Sequence, residues 1–170
     1  PIVLNAGLTA ELAATTVSIF AVGNALGRIG WGFLFDRIRY IAIPSSLACF
    51  AIVLIVLAFS SQPFVLLLCS GLLGFGFGAN FVIYASALSK HFDVASFPRL
   101  YPVCFLGYGL AGVTGPGIGG YLADVSGNYQ SALYLSAAMV GIAAIVTRAG
   151  LRVFRTSAVC DQESLVEPAF

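Results

Sequence analysis

Charged residues are scarce in this 170-residue chain: Asp, Glu, Lys and Arg make up 9% of it, against 59% for hydrophobic residues. A soluble domain carries about 25% charged residues because its surface faces water. Most of the outer surface must therefore contact lipid, which excludes a soluble domain. The net charge of +1 leaves no basic face for a phosphate backbone, so nucleic acid is not expected as a partner. The sequence predicts an integral membrane protein with the lipid bilayer as its surroundings.

Clusters of metal-binding or catalytic residues are also missing. The four cysteines form no Cys-x-x-Cys pair and no Cys/His cluster, which argues against a zinc site or a disulfide framework. Neither a GxSxG nor an HExxH pattern occurs, and the single histidine lies in a charged segment between apolar runs. We therefore expect no catalytic residues, no metal and no cofactor, and we predict that the protein is not an enzyme.

Five long apolar segments are present, at about 12–35, 42–60, 64–88, 100–123 and 131–150. A bilayer core of about 30 Å needs about 20 helical residues to cross it, so each segment is long enough to span. The predicted fold is an all-α membrane protein, with five transmembrane helices in one domain over residues 1–155. The polar composition of residues 156–170 predicts a disordered tail.

The basic residues predict the orientation of these spans. With five spans, one side of the membrane holds every Lys and Arg except one, whereas the other side holds only Glu11 and Asp124. By the positive-inside rule the basic side, which includes the C-terminus, is cytoplasmic. An odd number of spans and an apolar start at Pro1 predict that the chain is a piece of a longer protein.

The remaining basic residue, Arg28, lies inside the first span, about seven residues or roughly 10 Å from its cytoplasmic end. An Arg at this depth costs about 2.5–3.5 kcal/mol on insertion scales, so it should face protein or a water-filled cavity. Asn24 lies one helical turn earlier on the same face. Because the spans contain no Asp or Glu, the only fixed charge offered to a ligand is positive. This favours a small organic anion, held by two parallel hydrogen bonds from the guanidinium.

Alternatives for these residues stay open. The Arg28 side chain snorkels to the cytoplasmic interface, against the Cα–Cβ direction of its helix, or it pairs with a carboxylate outside this sequence. Asn24 alternatively forms a helix–helix hydrogen bond. The hydroxyl of Tyr108 points into the same cavity, or its ring serves only for packing.

Glycines recur on single faces of two spans and crowd a third. In the first and third spans they predict close approach of neighbouring helices, at Gly23, Gly27 and Gly30 and at Gly71, Gly74, Gly76 and Gly78. In the fourth span Pro116 cannot donate a hydrogen bond to the carbonyl of Gly112, which predicts a kink. With Gly115 beside it, this kink suits a helix that bends during a transport cycle, or it is a static kink.

Two segments together resemble a known family of membrane transporters. Residues 27–37, Gly-Arg-Ile-Gly-Trp-Gly-Phe-Leu-Phe-Asp-Arg, are similar to the GR…G…DR signature of the major facilitator superfamily, at the end of helix eight of the C-terminal half. Residues 115–129 are similar to helix eleven and the turn into helix twelve. The resemblance covers about residues 8–150. It implies a partial six-helix half, helices eight to twelve, which would need an N-terminal half from the same chain or from a partner.

Within that family, residues 24–28, Asn-Ala-Leu-Gly-Arg, are most similar to the oxalate–formate antiporter and monocarboxylate transporter group. In that group the helix-eight Arg binds the substrate carboxylate, and Arg28 falls on it. Monocarboxylate transporters often have Asp at the place of Asn24, and oxalate antiporters have a Lys that aligns near Tyr108. Their absence argues against direct proton relay and against a dianion. The resemblance thus implies transport of a monocarboxylate by alternating access, with Arg28, Asn24 and Tyr108 at the site.

The loop after the first span gains a role from the same resemblance. A carboxylate at the C-terminal end of a helix, as at Asp36, opposes the helix dipole and needs a compensating donor. Arg37, Arg39 or the N-terminus of another helix is expected to supply it. In the superfamily this loop is a cytoplasmic latch between conformations, which implies gating roles for Asp36 and Arg37. Arg39 stands where the motif usually has Gly, and local ion pairing without gating is the alternative.

Two other functions fit the sequence. One is an efflux carrier for drugs or other apolar solutes, because the Gly-Pro-x-x-Gly-Gly pattern is also similar to the antiporter motif of drug exporters. The other is a half-carrier that does not transport and acts as a partner subunit in the membrane.

Overall fold

The computed structural model of the protein describes residues 9–60, 62–93 and 95–164, and it describes only the backbone of residue 91 and of residues 153–164. These residues form five α-helices and one short 3-10 helix, Arg39–Ile41, and include no strand. The α-helices are α1 Ala10–Ile38, α2 Ala42–Phe59, α3 Pro63–His91, α4 Phe97–Ser126 and α5 Gln130–Ser164. The all-α prediction is confirmed over this part of the chain.

The helix ends follow local signals in the sequence. Thr9 caps α1 by accepting a hydrogen bond from the Leu12 amide at 3.4 Å, and Pro63 is the first residue of α3, where no N–H is needed. Gly127 ends α4 with a φ of 74°, a left-handed conformation that favours glycine. Pro102 lies inside α4, because the helix begins at Phe97 and Pro98 occupies its first turn.

Three stretches are long and apolar enough to cross a membrane within the described residues: Ala10–Phe59, Pro63–Lys90 and Gln130–Arg152. The first contains both α1 and α2. The glycine-rich helix α4 is not among them, since glycine contributes little hydropathy. The count of five spans therefore stays a prediction.

Helices α1 and α3 run parallel and touch through their glycines. A Cβ added at Gly27 would meet the backbone of Phe75, and one added at Gly78 would meet the backbone of Asn24. The hydroxyl of Ser70 donates a hydrogen bond to the carbonyl oxygen of Thr16 across the same contact, at 2.7 Å. The predicted close approach of these two helices is confirmed, and it places the backbone beside Arg28 directly against α3.

The apolar core lies on both sides of α2. One cluster joins α1, α2 and α3 through Trp31, Phe35, Ala42, Ala79 and Ile83. A second joins α2 and α5 and consists of Leu54, Ala58, Leu133 and Ala137. Helix α4 has a single buried residue among those described, Ala123, so it packs loosely beside the other helices.

The last helix is longer than its predicted span. Its backbone continues to Ser164, into the segment 156–170 for which we predicted a disordered tail. Residues 165–170 lie outside the described residues. The division into a membrane domain over 1–155 and a tail thus stays a prediction, as does the cytoplasmic location of the C-terminus.

Candidate functional site

Arg28 is held by contacts with two helices. Its Nε donates a hydrogen bond to Oδ1 of Asn24 at 3.4 Å, one turn earlier in α1. Its guanidinium carbon lies 4.6 Å from the ring centroid of Phe81 in α3, within the range of a cation–π interaction. The side chain therefore follows the Cα–Cβ direction toward the N-terminus of α1 and not toward the basic end of the helix. This arrangement argues against snorkelling.

No carboxylate lies in contact with Arg28 within the part of the chain that the structure describes. Asn24 occupies Nε, and the guanidinium has further hydrogen-bond donors on its two terminal nitrogens. The hydrogen bond shows that Asn24 and Arg28 lie on one face of α1, as their spacing predicted.

Tyr108 approaches the same position from α4. Its ring centroid lies 5.6 Å from that of Phe81, with an angle of 69° between the ring planes. Phe81 thus contacts both Arg28 and Tyr108. The structure thus brings Arg28 and Tyr108 to this one ring, and Asn24 contacts Arg28.

A cavity of about 460 Å³ opens beside Phe81, between α2, α3 and α4. Its lining includes Leu47, Asn80, Phe81, Tyr84, Cys104 and Tyr108. Arg28 and Asn24 are not part of the lining, but Arg28 contacts Phe81, which is. Within the described residues no group of His, Cys, Asp and Glu has the arrangement of a metal site.

Two residues of this site were not identified from the sequence. Phe81 is one of 14 phenylalanines, and nothing in the local pattern distinguishes it from a packing residue. Asn80 carries a signal, because it is a polar amide in the middle of an apolar span, as Asn24 is. Its position, like that of Asn24, marks it as a candidate site residue.

Asp36 has a different partner from those expected. Nζ of Lys90 lies 3.0 Å from Oδ1 of Asp36 and 4.9 Å from the ring centroid of Phe35. Neither Arg37 nor Arg39 supplies this contact, so that expectation was wrong. The reason is the parallel packing of α1 and α3, which brings the C-terminal ends of both helices together. Arg37 is exposed beside this pair.

The other residues expected to move during transport lie apart from the site. Gly115 and Pro116 are exposed residues inside α4, and Pro116 is eight residues or roughly 12 Å along the helix from Tyr108. An added Cβ at Gly115 would meet no described atom within 4 Å. Their part in bending stays a prediction.

Comparison with known proteins gives a relative and a family. The chain is 28% identical over 151 residues to human monocarboxylate transporter 7, and the match covers 85% of this chain and 29% of that protein. The chain thus spans less than a third of the length of this relative. No solved structure matches it. The family model of the Major Facilitator Superfamily matches residues 1–160, and the chain belongs to this superfamily.

Proposed function

We propose that this chain forms part of a secondary transporter that moves a small, monocarboxylate-like organic anion across a membrane by alternating access. The observation that carries this proposal is the guanidinium of Arg28, which is hydrogen-bonded to Asn24, lies over Phe81 and contacts no carboxylate within the described residues. Membership of the superfamily supports transport and gives no support to an enzyme. The similarity to monocarboxylate transporter 7 supports a carboxylate as the anion.

The proposed binding step uses the geometry around Arg28. The carboxylate accepts two parallel hydrogen bonds from the terminal guanidinium nitrogens, while Asn24 fixes the plane of the guanidinium through Nε. The ring of Phe81 supports the cation from α3. Each partner is uncharged, so the positive charge is fully available to the substrate.

The proposed conformational step involves three other places. The pair of Asp36 and Lys90 links the ends of α1 and α3, and together with Arg37 it acts as a latch on the cytoplasmic side. Gly115 and Pro116 allow α4 to bend. A second set of helices, from the same chain or a partner, completes the site from the opposite side, as expected for helices eight to twelve of this superfamily.

The first test replaces Arg28 in the native polypeptide, reconstituted in sealed vesicles. We expect Arg28→Ala to lower uptake of radiolabelled pyruvate on the order of 100-fold or more, because two charge-assisted hydrogen bonds of about 1.5–3 kcal/mol each are lost. Arg28→Lys should also fail, since a single ammonium cannot replace the paired donors.

The control is Arg99→Ala, which removes an exposed Arg in the first turn of α4. It should insert and transport normally. Wild-type uptake by Arg28→Ala would refute the site. Transport of a lipophilic dye in the same vesicles distinguishes the carboxylate transporter from an efflux carrier. An efflux carrier should transport the dye and should still do so in Arg28→Ala. Absence of any transport by the unaltered protein would favour the partner-subunit alternative.

A further inference from the structure

The cavity beside Arg28 is lined by a continuous group of aromatic rings from α3 and α4. The centroid of Phe81 lies 5.9 Å from that of Phe105 and 5.6 Å from that of Tyr108, and Phe105 and Tyr108 are 6.0 Å apart. These are the separations at which rings attract one another edge to face or in tilted pairs. A ring introduced among them has several partners at once.

The volume of this cavity is large for a short-chain acid. An engineered apolar cavity of about 150 Å³ takes up benzene, and binding pockets for larger organic molecules begin at about 300 Å³. At about 460 Å³, the cavity holds a six-membered ring with its substituents. A molecule with two or three carbons would leave most of the aromatic surface without a contact.

The cavity also indicates the charge of the group it holds. The side chains that line it include no Asp, Glu, Lys, Arg or His. Its polar groups are neutral: the amide of Asn80 and the hydroxyls of Tyr84 and Tyr108. An ammonium group would find no counter-charge among these residues, whereas an uncharged ring with a hydroxyl or keto group finds hydrogen-bond partners.

Phe81 connects the cavity to the cation. Its ring contacts the guanidinium of Arg28 and is also part of the cavity wall. We infer that the anion carried by this protein is an aryl monocarboxylate, with its carboxylate on Arg28 and its uncharged ring in the cavity between α3 and α4. This inference rests on the proposed function and assigns the part of the substrate that Arg28 does not bind.

The test compares two acids with the same head group, pyruvate and phenylpyruvate, in vesicles that contain the native polypeptide. We expect phenylpyruvate to half-saturate uptake at a concentration at least about tenfold lower than pyruvate, the size of discrimination that one filled apolar pocket provides. Cys104→Phe fills the cavity from α4 and should remove this preference, by raising the half-saturating concentration of phenylpyruvate relative to that of pyruvate. Cys49→Phe is the matched control, because Cys49 is exposed on α2 and does not line the cavity.

The outcomes separate the two proposals. Pyruvate uptake that depends on Arg28, without a preference of the protein for phenylpyruvate over pyruvate, would refute the aryl substrate and leave the proposed function standing. A preference that stays intact in Cys104→Phe would have the same meaning. If the uptake of neither acid depends on Arg28, the proposed function itself fails.

A second measurement does not depend on the folding of a variant. In the unaltered protein phenylpyruvate should slow the alkylation of Cys104 by N-ethylmaleimide, followed by mass spectrometry, with Cys49 as the internal reference. Equal labelling of Cys104 with and without phenylpyruvate would overturn the inference.

Discussion

Arg39 adopts a backbone conformation that side chains rarely take, with a φ of 51° and a ψ of −131°. It ends α1, and its amide donates a hydrogen bond to the carbonyl oxygen of Phe35. Conformations of this kind cost of order 1–3 kcal/mol in a residue other than glycine. Glycine would adopt this conformation without the steric cost that Arg39 bears.

We predict that Arg39→Gly raises the free energy of unfolding by about 1 kcal/mol, because relief of the strained φ outweighs the greater entropy of glycine in the unfolded chain. The measurement is thermal unfolding of the purified protein in detergent.

Arg37→Gly serves as the control, because Arg37 lies within the last turn of α1 and glycine there should cost about 1 kcal/mol. A similar loss of stability in both variants would show that residue 39 does not adopt the positive φ.

At the scale of helices, the contact between α1 and α3 positions the site. Gly23 and Gly27 of α1 meet the backbone of Gly71 and Phe75 of α3, so the two helices approach to backbone distance. In lipid such contacts are driven by close packing, because the tails are as apolar as the side chains. This approach brings Phe81 within reach of Arg28.

We predict that Gly27→Ala destabilises the protein by about 1–3 kcal/mol, the usual cost of overpacking, since the added methyl group would meet backbone atoms that cannot rotate away. It should also weaken carboxylate binding, because α3 must move away from Arg28. Thermal unfolding and substrate binding measure the two effects.

The matched control is Gly112→Ala in α4, where an added methyl group meets no described atom within 4 Å. Alanine there should be neutral or stabilising by up to about 1 kcal/mol, as in an unconstrained helix. Equal effects of the two substitutions would contradict the backbone contact between α1 and α3.

The ion pair of Asp36 and Lys90 also joins α1 and α3, but it stabilises their contact less than the glycine packing does. Its side chains are 73% and 44% exposed, respectively, and exposed ion pairs contribute about 0–1 kcal/mol. The pair therefore adds little to the stability of the α1–α3 contact. A contribution of this size suits the proposed latch, which would open and close in each transport cycle.

At the scale of the whole molecule, α4 determines on which side of the membrane the segments around it lie. With five spans, the segment between α3 and α4 and the segment between α4 and α5 lie on opposite sides. If α4 does not cross, they lie on the same side.

We predict that single cysteines at Gln62 and Asn128 react from one side of a sealed vesicle and that a cysteine at Asp93 reacts from the other. The background is a variant without the four native cysteines, and the reagent is a membrane-impermeant maleimide applied to vesicles of both orientations. Labelling of residues 93 and 128 from the same side would show that α4 does not cross the membrane, so the chain would have fewer than five spans. Access to residue 93 from the cytoplasm also tests the predicted orientation.

The local structure of the chain was largely predictable. The helices begin and end within a few residues of the predicted spans, except for α5, because caps, prolines and charged breaks act within one turn of the chain. The hydrogen bond between Asn24 and Arg28 was also predictable, since residues four apart lie on the same face of a helix.

The partners across helices were not predictable in the same way. Phe81 and Arg28 are far apart in sequence, as are Lys90 and Asp36, and each contact depends on how α3 lies against α1. The glycines on single faces of α1 and α3 predicted that these helices approach a neighbour closely. Neither the partner helix nor the register follows from glycine spacing. The expectation that Arg37 or Arg39 would pair with Asp36 was wrong for this reason.

The sequence by itself determined the apolar, helical character of the chain and the place of Arg28 within its first helix, because composition and helical periodicity act locally. Only the tertiary structure decided that Arg28 faces Phe81, that Tyr108 reaches the same ring and that a cavity of about 460 Å³ lies beside them. A binding site requires side chains from several helices to meet, and their meeting depends on the register and direction of packed helices. Packing of this kind is set by the fit of whole helix surfaces, which no single segment encodes.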